Sequence, residues 1–152
     1  MIPYFSTQDR IVLLRKSAES WLGTPFHPHG KTKGAGVSCQ TLVSALYMET
    51  GFLPADYTAP ICSLRWARGK KPEEAIDFVS KQLPPGLLVV DNDRQEIGDT
   101  LGFLLAGTIH FGVSLGQKMF IHCLNKQGVI YSRVDDATFI QRLARVWRPV
   151  QT

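Results

Sequence analysis

Cys39 and two histidines are the residues whose types and positions could do chemistry together. Cys39 follows a glycine-rich stretch, residues 24–38, and begins an apolar segment with the residue pattern of a helix. The positive end of a helix dipole and the unpaired N–H groups of the first turn favour a negative charge, so they favour a thiolate there. Because the thiolate is the reactive form of cysteine, this position predicts a nucleophile.

His110 and His122 are the candidates for a base and its partner. His110 begins a β-branched apolar run, His122 closes a second run, and a short glycine-containing turn, residues 116–118, separates them. This pattern predicts a β-hairpin that carries both histidines on strands. A cysteine at a helix start, a histidine on a facing strand and a third polar group behind it form the arrangement of papain-like hydrolases. The sequence therefore favours amide chemistry through a thiol.

The elements that must position these residues divide the chain into a helical half and a strand-rich half. Caps and helical spacing predict a first helix after Ser6 or Thr7 that ends at Gly23, a second at 39–50 and a third beginning at Pro72. Short apolar runs then predict strands at 87–90, 101–105, 109–115, 119–123 and 129–133, a short helix at 139–143 and an edge strand at 144–147. Helices followed by an antiparallel sheet indicate an α+β fold.

Composition limits the classes of protein to which the chain can belong. At 152 residues, with 44% hydrophobic and 20% charged residues, it is expected to form a single domain over residues 1–152. The net charge of +4 is spread along the chain, so no nucleic-acid partner is expected, although an anionic cell wall would suit it. The nearest approaches to a basic cluster are expected to be solvated loop residues, namely Lys31, Lys33, Lys70 and Lys71.

Targeting signals are not visible in the sequence. No apolar run approaches the length of a membrane span, and the first ten residues lack the pattern of a signal peptide. We therefore expect synthesis in the cytoplasm, with action on the cell wall after delivery or lysis. The sequence leaves the oligomeric state open.

Neither a disulfide framework nor a metal site is expected. Three cysteines at irregular spacing favour buried, unpaired roles for Cys62 and Cys123. His27 and His29, together with Cys39 and His110, are of metal-ligand types, but no HExxH or paired CxxC motif accompanies them. No metal and no cofactor are predicted, and the two loop histidines are expected to line a substrate cleft.

The motifs around the cysteine and the histidines resemble those of the NlpC family of papain-like bacterial cell-wall endopeptidases. Members read W-x-G-T-P-Y…G-x-D-C-S-G-F-V and H-V-G-I-Y-x-G-x-x-x-F-I-H-A, and this chain reads WLGTPF…GVSCQTLV and HFGVSLGQKMFIHC. Gly98-Asp99 resembles the family's P-G-D-L turn, and the insert HPHGKTKGAGV resembles a phage-associated subgroup. The resemblance implies a papain-like domain in which Cys39 is the nucleophile, His110 the base and His122 the orienting residue.

This chain departs from the family at the residues expected to line the substrate pocket. Ser38 replaces the family's aspartate, Gln40 and Thr41 replace Ser-Gly, and Phe26 replaces a tyrosine. In the family the aspartate helps to bind a free amino group of the peptide, so its loss affects substrate identity more than chemistry. Phe26, His27, His29, Ser38 and Gln40 are accordingly predicted to contact the substrate. Tyr57, Arg65 and Trp66 are expected either to wall the cleft or to cover the core.

The predicted function is hydrolysis of amide bonds in peptidoglycan stem peptides, through a Cys-His-His site and a thioester acyl-enzyme. The resemblance implies the bond between D-glutamate and a diamino acid. Two alternatives remain open. One is a papain-like acyltransferase or deamidase that uses the same thiol, and the other is a non-catalytic binding or phage-tail protein on the same fold.

Overall fold

The computed structural model describes residues 1–60 and 71–151. The predictions made for Cys62, Arg65, Trp66 and Lys70 lie outside the described residues. In the described part of the chain, no helix has both the length and the apolar character that crossing a membrane requires.

Three α-helices form in the described part of the chain, each where the sequence predicts one. The first, α1 (Gln8–Trp21), begins after Thr7, whose hydroxyl accepts a hydrogen bond from the backbone N–H of Arg10. The second, α2 (Cys39–Glu49), begins after the cap Ser38, and the third, α3 (Pro72–Ser80), begins with a proline at its first position. A side-chain oxygen or a proline at a helix start satisfies or removes N–H groups that have no partner within the helix.

Apart from a short 3₁₀ helix at Asn92–Arg94, the other regular elements of the described residues are antiparallel strands. They are β1 (Ile2–Pro3), β2 (Lys31–Thr32), β3 (Gly36–Val37), β4 (Leu87–Val90), β5 (Thr100–Leu105), β6 (Thr108–Gly116), β7 (Met119–Leu124), β8 (Gly128–Arg133) and β9 (Leu143–Gln151). Seven of them form one sheet in the order β1–β9–β5–β6–β7–β8, with β4 also paired to β9, whereas β2 and β3 form a separate ribbon. The predicted α+β class is confirmed.

Two predictions near the C-terminus are wrong. Residues 139–142 form turns instead of a short helix, because Gln141 adopts a φ of +64°, which no helix accommodates. The predicted edge strand at 144–147 is the longer β9, which lies inside the sheet between β5 and the pair β1 and β4. The strand contains Pro149, and a proline normally indicates an edge strand because it has no backbone N–H to donate.

The sheet has a different apolar cluster on each face. The larger cluster lies between the sheet and the helices and includes Leu14, Leu46 and Phe111, all essentially inaccessible to solvent. The smaller cluster lies on the other face and consists of Leu101, Phe103, Phe120, Phe139 and Val146. Because successive side chains of a strand point to opposite faces, β7 and β9 contribute to both clusters: Phe120 and Val146 to the smaller one, Ile121 and Trp147 to the larger one.

Two polar contacts hold α2 against the sheet. The buried hydroxyl of Tyr47 donates to the carbonyl oxygen of Gly98, 2.7 Å away, and also lies 2.7 Å from the hydroxyl of Thr100. At the other end of the helix, the thiol of Cys123 in β7 donates to the carbonyl oxygen of Val37 at 3.3 Å. The C-terminal part of α2 and the backbone just before its first residue are therefore both tied to the sheet.

The glycine-rich loop before α2 is anchored to the start of β8. The backbone of Val129 donates to the carbonyl oxygen of Thr24 at 2.9 Å and accepts from the N–H of Gly23 at 3.0 Å. Gly128 has a φ of +73°, and a Cβ atom on it would lie 2.5 Å from the carbonyl oxygen of Thr24. Only glycine allows the two segments to approach this closely.

Replacing Gly128 by alanine should therefore destabilise the fold more than positive φ alone explains. Gly34 is the matched control, because its φ is +81° but no atom lies within 4 Å of a Cβ built there. Gly34→Ala should lower the free energy of unfolding by about 1–2 kcal/mol through backbone strain. Gly128→Ala should cost more, since its backbone neighbour must move. Urea denaturation measures both, and equal losses would contradict the proposed anchor.

Candidate functional site

Cys39 is the first residue of α2 and is held there by a capping box. The hydroxyl of Ser38 accepts from the backbone N–H of Thr41 at 3.1 Å, and the hydroxyl of Thr41 accepts from the N–H of Ser38 at 2.9 Å. Cys39 is 9% exposed. A thiol at this position experiences the positive end of the helix dipole, as the sequence predicts.

His110 in β6 and His122 in β7 are joined by a direct hydrogen bond. In the register of these strands His122 lies opposite Gly112, so His110 is its diagonal neighbour on the same face of the sheet. Nε2 of His110 lies 2.7 Å from Nδ1 of His122. The bond uses Nε2 of His110 and leaves Nδ1 as the ring nitrogen that can serve a reacting group.

A third polar side chain, that of Ser132 in β8, extends the hydrogen-bonded pair on the side of His122. Its hydroxyl lies 2.7 Å from Nε2 of His122. Sequence reasoning missed Ser132, although the strand containing it was predicted. The alternation of side chains along the predicted strand could have indicated Ser132, but only together with the register between β7 and β8. In that register His122 lies opposite Ile130.

Aromatic rings enclose the two imidazoles. The ring centroid of Phe120 lies 4.5 Å from that of His122, and Phe139 meets His122 edge-on at 5.2 Å and stacks on His110 at 6.2 Å. A Cβ atom on Gly112 would lie 2.6 Å from the ring of Phe120, so glycine leaves room for that ring. His122 is 0% exposed and His110 8% exposed.

Burial in this surrounding keeps both imidazoles neutral at neutral pH. Burial lowers the pKa of His110 to about 4. It also lowers the pKa of His122 to about 3, with a further contribution from the neighbouring His110. A charged imidazole would lose its hydration in this environment, whereas a neutral one needs only hydrogen-bond partners for its two nitrogens. A neutral His110 has a lone pair that can accept a proton, and its lowered pKa makes it a weaker base than an exposed histidine.

Cys123 lies next to His122 in sequence but points to the other face of β7. Burial, reinforced by the proximity of Cys39, raises its pKa to about 12. It therefore stays a protonated thiol, which fits its donation to the carbonyl oxygen of Val37. The prediction that Cys123 is a buried small residue is confirmed, since it is 2% exposed.

The residues predicted to contact a substrate divide into an exposed and a buried group. His27 and His29 are exposed on the loop before α2, and Nδ1 of His27 accepts from the backbone N–H of His29 at 3.3 Å. Phe26 is half-buried and forms a β-bridge with Val37. The structure thus brings these three residues to the same loop, and their contact with a substrate stays a prediction.

Ser38 and Gln40, on either side of the nucleophile, are buried. The hydroxyl of Ser38 is engaged in the capping box, and the side-chain amide of Gln40 donates to the carbonyl oxygen of Pro60 at 2.8 Å. Gln40 therefore ties the start of α2 to the segment that follows the helix. A role of either residue toward a substrate also stays a prediction.

The structure also shows the surroundings of Asp99 and Tyr57, which the sequence does not reveal. Asp99, of the Gly98-Asp99 turn, is 1% exposed and forms a paired hydrogen bond with Arg148, at 3.0 and 2.9 Å. Tyr57 lines a small cavity of about 40 Å³ beside Ala45 and Met48 of α2. Within residues 1–60 and 71–151, no three side chains of metal-ligand type lie close enough to hold a metal ion.

The lowered pKa values predict that stability falls as the pH decreases from about 6.5 toward 4. An unfolded histidine has a pKa of about 6.5, so in this window the unfolded chain binds protons that folded His110 and His122 do not bind. Proton uptake then favours unfolding. Thermal midpoints measured over this range should fall more steeply for the native chain than for a His110→Gln, His122→Gln variant. Identical slopes would show that the imidazoles are not buried in neutral form.

Comparison with known proteins supports the architecture. Neither a protein-family model nor a curated protein matches the sequence. Among solved structures, the chain is similar to an NLP/P60-family protein from Staphylococcus aureus described as similar to a lipoprotein, with a TM-score of 0.66 and 16% identity, over 99% of this chain and 44% of that one. The chain thus spans less than half the length of the staphylococcal protein.

Two further solved structures are also similar to this chain, each over nearly its own whole length. One is the NlpC/p60 domain of the peptidoglycan hydrolase SagA, with a TM-score of 0.58 and 16% identity, over 93% of this chain and 98% of that one. The other is RipD from Mycobacterium tuberculosis, described as a non-catalytic NlpC/p60 domain protein adapted to peptidoglycan binding, with a TM-score of 0.55 and 16% identity, over 95% and 100%. The papain-like architecture expected from the motifs is confirmed, and this chain has the fold of the NlpC/P60 domains.

Proposed function

We propose that this chain is a cysteine peptidase or amidase that hydrolyses amide bonds in peptidoglycan stem peptides. The observation that carries the proposal is the hydrogen bond of 2.7 Å between His110 and His122. It pairs the two histidines that the resemblance assigns to the base and to the orienting residue, and it leaves Nδ1 of His110 for the thiol. The start of α2 at Cys39 supports the assignment of the nucleophile.

The proposed first step is transfer of the thiol proton of Cys39 to Nδ1 of His110. The thiolate attacks the amide carbonyl carbon, and the oxygen of the tetrahedral intermediate is stabilised by the backbone N–H of Cys39 and a neighbouring donor. His110 then returns the proton to the leaving amine as the C–N bond breaks, which gives a thioester on Cys39 and a free amine.

Hydrolysis of the thioester completes the proposed cycle. Water loses a proton to His110 as it attacks the acyl carbon, and the thiolate leaves and regains that proton. The products are a carboxylic acid and the free enzyme. Throughout, Nδ1 of His122 accepts from the N–H at Nε2 of His110 and so holds the ring in one orientation.

The bond expected from the resemblance joins D-glutamate to a diamino acid. Ser38 stands where the family has an aspartate. Recognition of a free amino group is therefore the property of the pocket that we most expect to differ from the family. Ser38 offers a neutral hydroxyl that already takes part in the capping box, and Phe26 offers no hydroxyl. We therefore propose a pocket that depends less on a free N-terminal amine, and that accepts a stem peptide still joined to its sugar.

A non-catalytic binding role is the second candidate, because RipD shares the fold and is described as non-catalytic. The rate of alkylation of Cys39 by iodoacetamide separates the two candidates. An activated thiol reacts well below the pH at which an ordinary thiol does, since only the thiolate is nucleophilic. Alkylation with the pH dependence of an ordinary cysteine would favour the binding role. Analysis of products separates hydrolysis from acyl transfer or deamidation.

Replacing the nucleophile should abolish turnover of purified muropeptides. Cys39→Ala removes the thiol, and Cys39→Ser leaves a hydroxyl that is far harder to deprotonate, so both should lower kcat by more than about a thousandfold. Cys123→Ala is the matched control, because that buried thiol donates to the carbonyl oxygen of Val37 and stays protonated. Chromatography of the digests measures all three, and retained activity in Cys39→Ala would end the proposal.

Acetylating the N-terminus of a stem peptide should change its rate of cleavage by less than about tenfold. A carboxylate that binds the free amine would contribute about 1.5–3 kcal/mol, or roughly 10- to 150-fold in kcat/KM. The measurement compares one peptide with and without the acetyl group. A preference of about a hundredfold or more for the free amine would mean that another acid, such as Asp56 or Asp91, has taken the aspartate's role.

A further inference from the structure

We propose that Ser132 is a positioning residue that accepts a hydrogen bond from His122 and thereby holds both imidazoles protonated on Nε2. This inference rests on the proposed function only for its effect on turnover. The residues lie on three neighbouring strands: His110 in β6, His122 in β7 and Ser132 in β8. Their polar atoms form one continuous line with two separations of 2.7 Å.

The sheet register produces this line. His122 is opposite Gly112 on one side and Ile130 on the other. His110 is two residues before Gly112, and Ser132 is two residues after Ile130. Because β6 and β8 run in the same direction, the two diagonal steps continue each other across β7. Side chains two residues apart share a face, so all three side chains lie on the face that carries Phe120.

The protons on the two rings cannot be chosen independently. A neutral imidazole carries one proton, and the nitrogen with the proton donates while the other accepts. Nε2 of His110 faces Nδ1 of His122, so one must donate and the other accept. If His110 is protonated on Nε2, His122 must be protonated on Nε2 as well. If His110 is protonated on Nδ1, His122 must be protonated on Nδ1.

Only the first of these states leaves His110 able to act as a base toward a thiol. In that state Nδ1 of His110 has a free lone pair, whereas in the second state the same atom already carries a proton. The first state also puts an N–H on Nε2 of His122, a side chain that is 0% exposed and packed against the rings of Phe120 and Phe139. That N–H requires an acceptor, because a buried donor without a partner is costly.

Ser132 is the acceptor at that position. It is half-buried, whereas His122 is buried, so the serine hydroxyl can accept from Nε2 and direct its own proton toward solvent. Without the hydroxyl, the state with a proton on Nε2 of His122 loses its hydrogen bond. The alternative state leaves a lone pair there instead of an N–H, and it should then become the populated one.

The test is the protonation state of each ring nitrogen at about pH 7, read from long-range ¹H–¹⁵N spectra of the ¹⁵N-histidine-labelled chain of 152 residues. The chain has four histidines, and His27 and His29 are exposed, so His110→Gln and His122→Gln variants assign the two buried rings. In the native chain, both His110 and His122 should be protonated on Nε2. Protonation of both on Nδ1 would overturn the proposal.

Three variants complete the experiment. Ser132→Ala should move both rings to protonation on Nδ1 and lower kcat about ten- to a hundredfold with little change in KM. Ser132→Thr keeps the hydroxyl and should preserve both the spectra and kcat. Ser114→Ala is the matched control, because its hydroxyl accepts from the backbone N–H of Gly116 and not from a histidine. Unchanged spectra in Ser132→Ala would mean that water replaces the hydroxyl, and would overturn the proposal.

The spectra and the kinetics also separate this inference from the proposed function. If the native chain cleaves no muropeptide but the rings respond to Ser132→Ala as expected, Ser132 sets the protonation state in a protein with another role. If the native chain cleaves muropeptides and Ser132→Ala changes neither the spectra nor kcat, the proposed function stands and the role of Ser132 does not.

Discussion

Two imidazoles buried side by side, in surroundings that keep both neutral, are the constraint on which the candidate site depends. Burial lowers the pKa of His110 to about 4 and that of His122 to about 3. Neutral rings in an apolar cluster must satisfy their nitrogens through each other, because few other polar groups reach them. The bond between the rings, the packing of Phe120 and Phe139 around them and the absence of a side chain on Gly112 all follow from this requirement.

Strand β7 connects this pair to the start of α2. His122 and Cys123 are neighbours in sequence, so they point to opposite faces of the sheet. His122 bonds to His110 on one face, while Cys123 donates to the backbone of Val37, two residues before Cys39, on the other. A slip of one residue in the register of β7 would exchange these two side chains and break both connections at once. The position of the helix start and the pairing of the histidines therefore depend on the same strand.

The substitutions around Cys39 are explained more readily by local structure than by chemistry. Ser38 begins α2 through its capping box with Thr41, and Gln40 ties the first turn to Pro60. A serine cap stabilises a helix start by about 1 kcal/mol relative to alanine, which is reason enough for a small polar residue there. The capping box satisfies the backbone N–H of Thr41 and does not involve that of Cys39. The first turn of α2 thus has a stable start.

Much of the fold and part of the candidate site could be predicted from the sequence, because those features depend on local chemistry. The caps Thr7 and Ser38, the proline that begins α3 and the hairpin turn between β6 and β7 all act within a few residues. The spacing of His110 and His122 is also a local signal, since a tight hairpin brings residues on its two strands together. These signals are sufficient for the α+β class and for the pairing of the two histidines.

The remaining features depend on contacts between segments that are distant in sequence, and they are evident only in the folded protein. Ser132 joins the histidines because of the register between β7 and β8, and β9 lies inside the sheet because β4 and β1 both pair with its far edge. Phe139 belongs to a turn because its ring packs against Phe103 and Phe120 while Gln141 takes a positive φ. Strand order and register are set by which apolar faces can be buried together. That balance involves the whole chain, and no local run of residues encodes it.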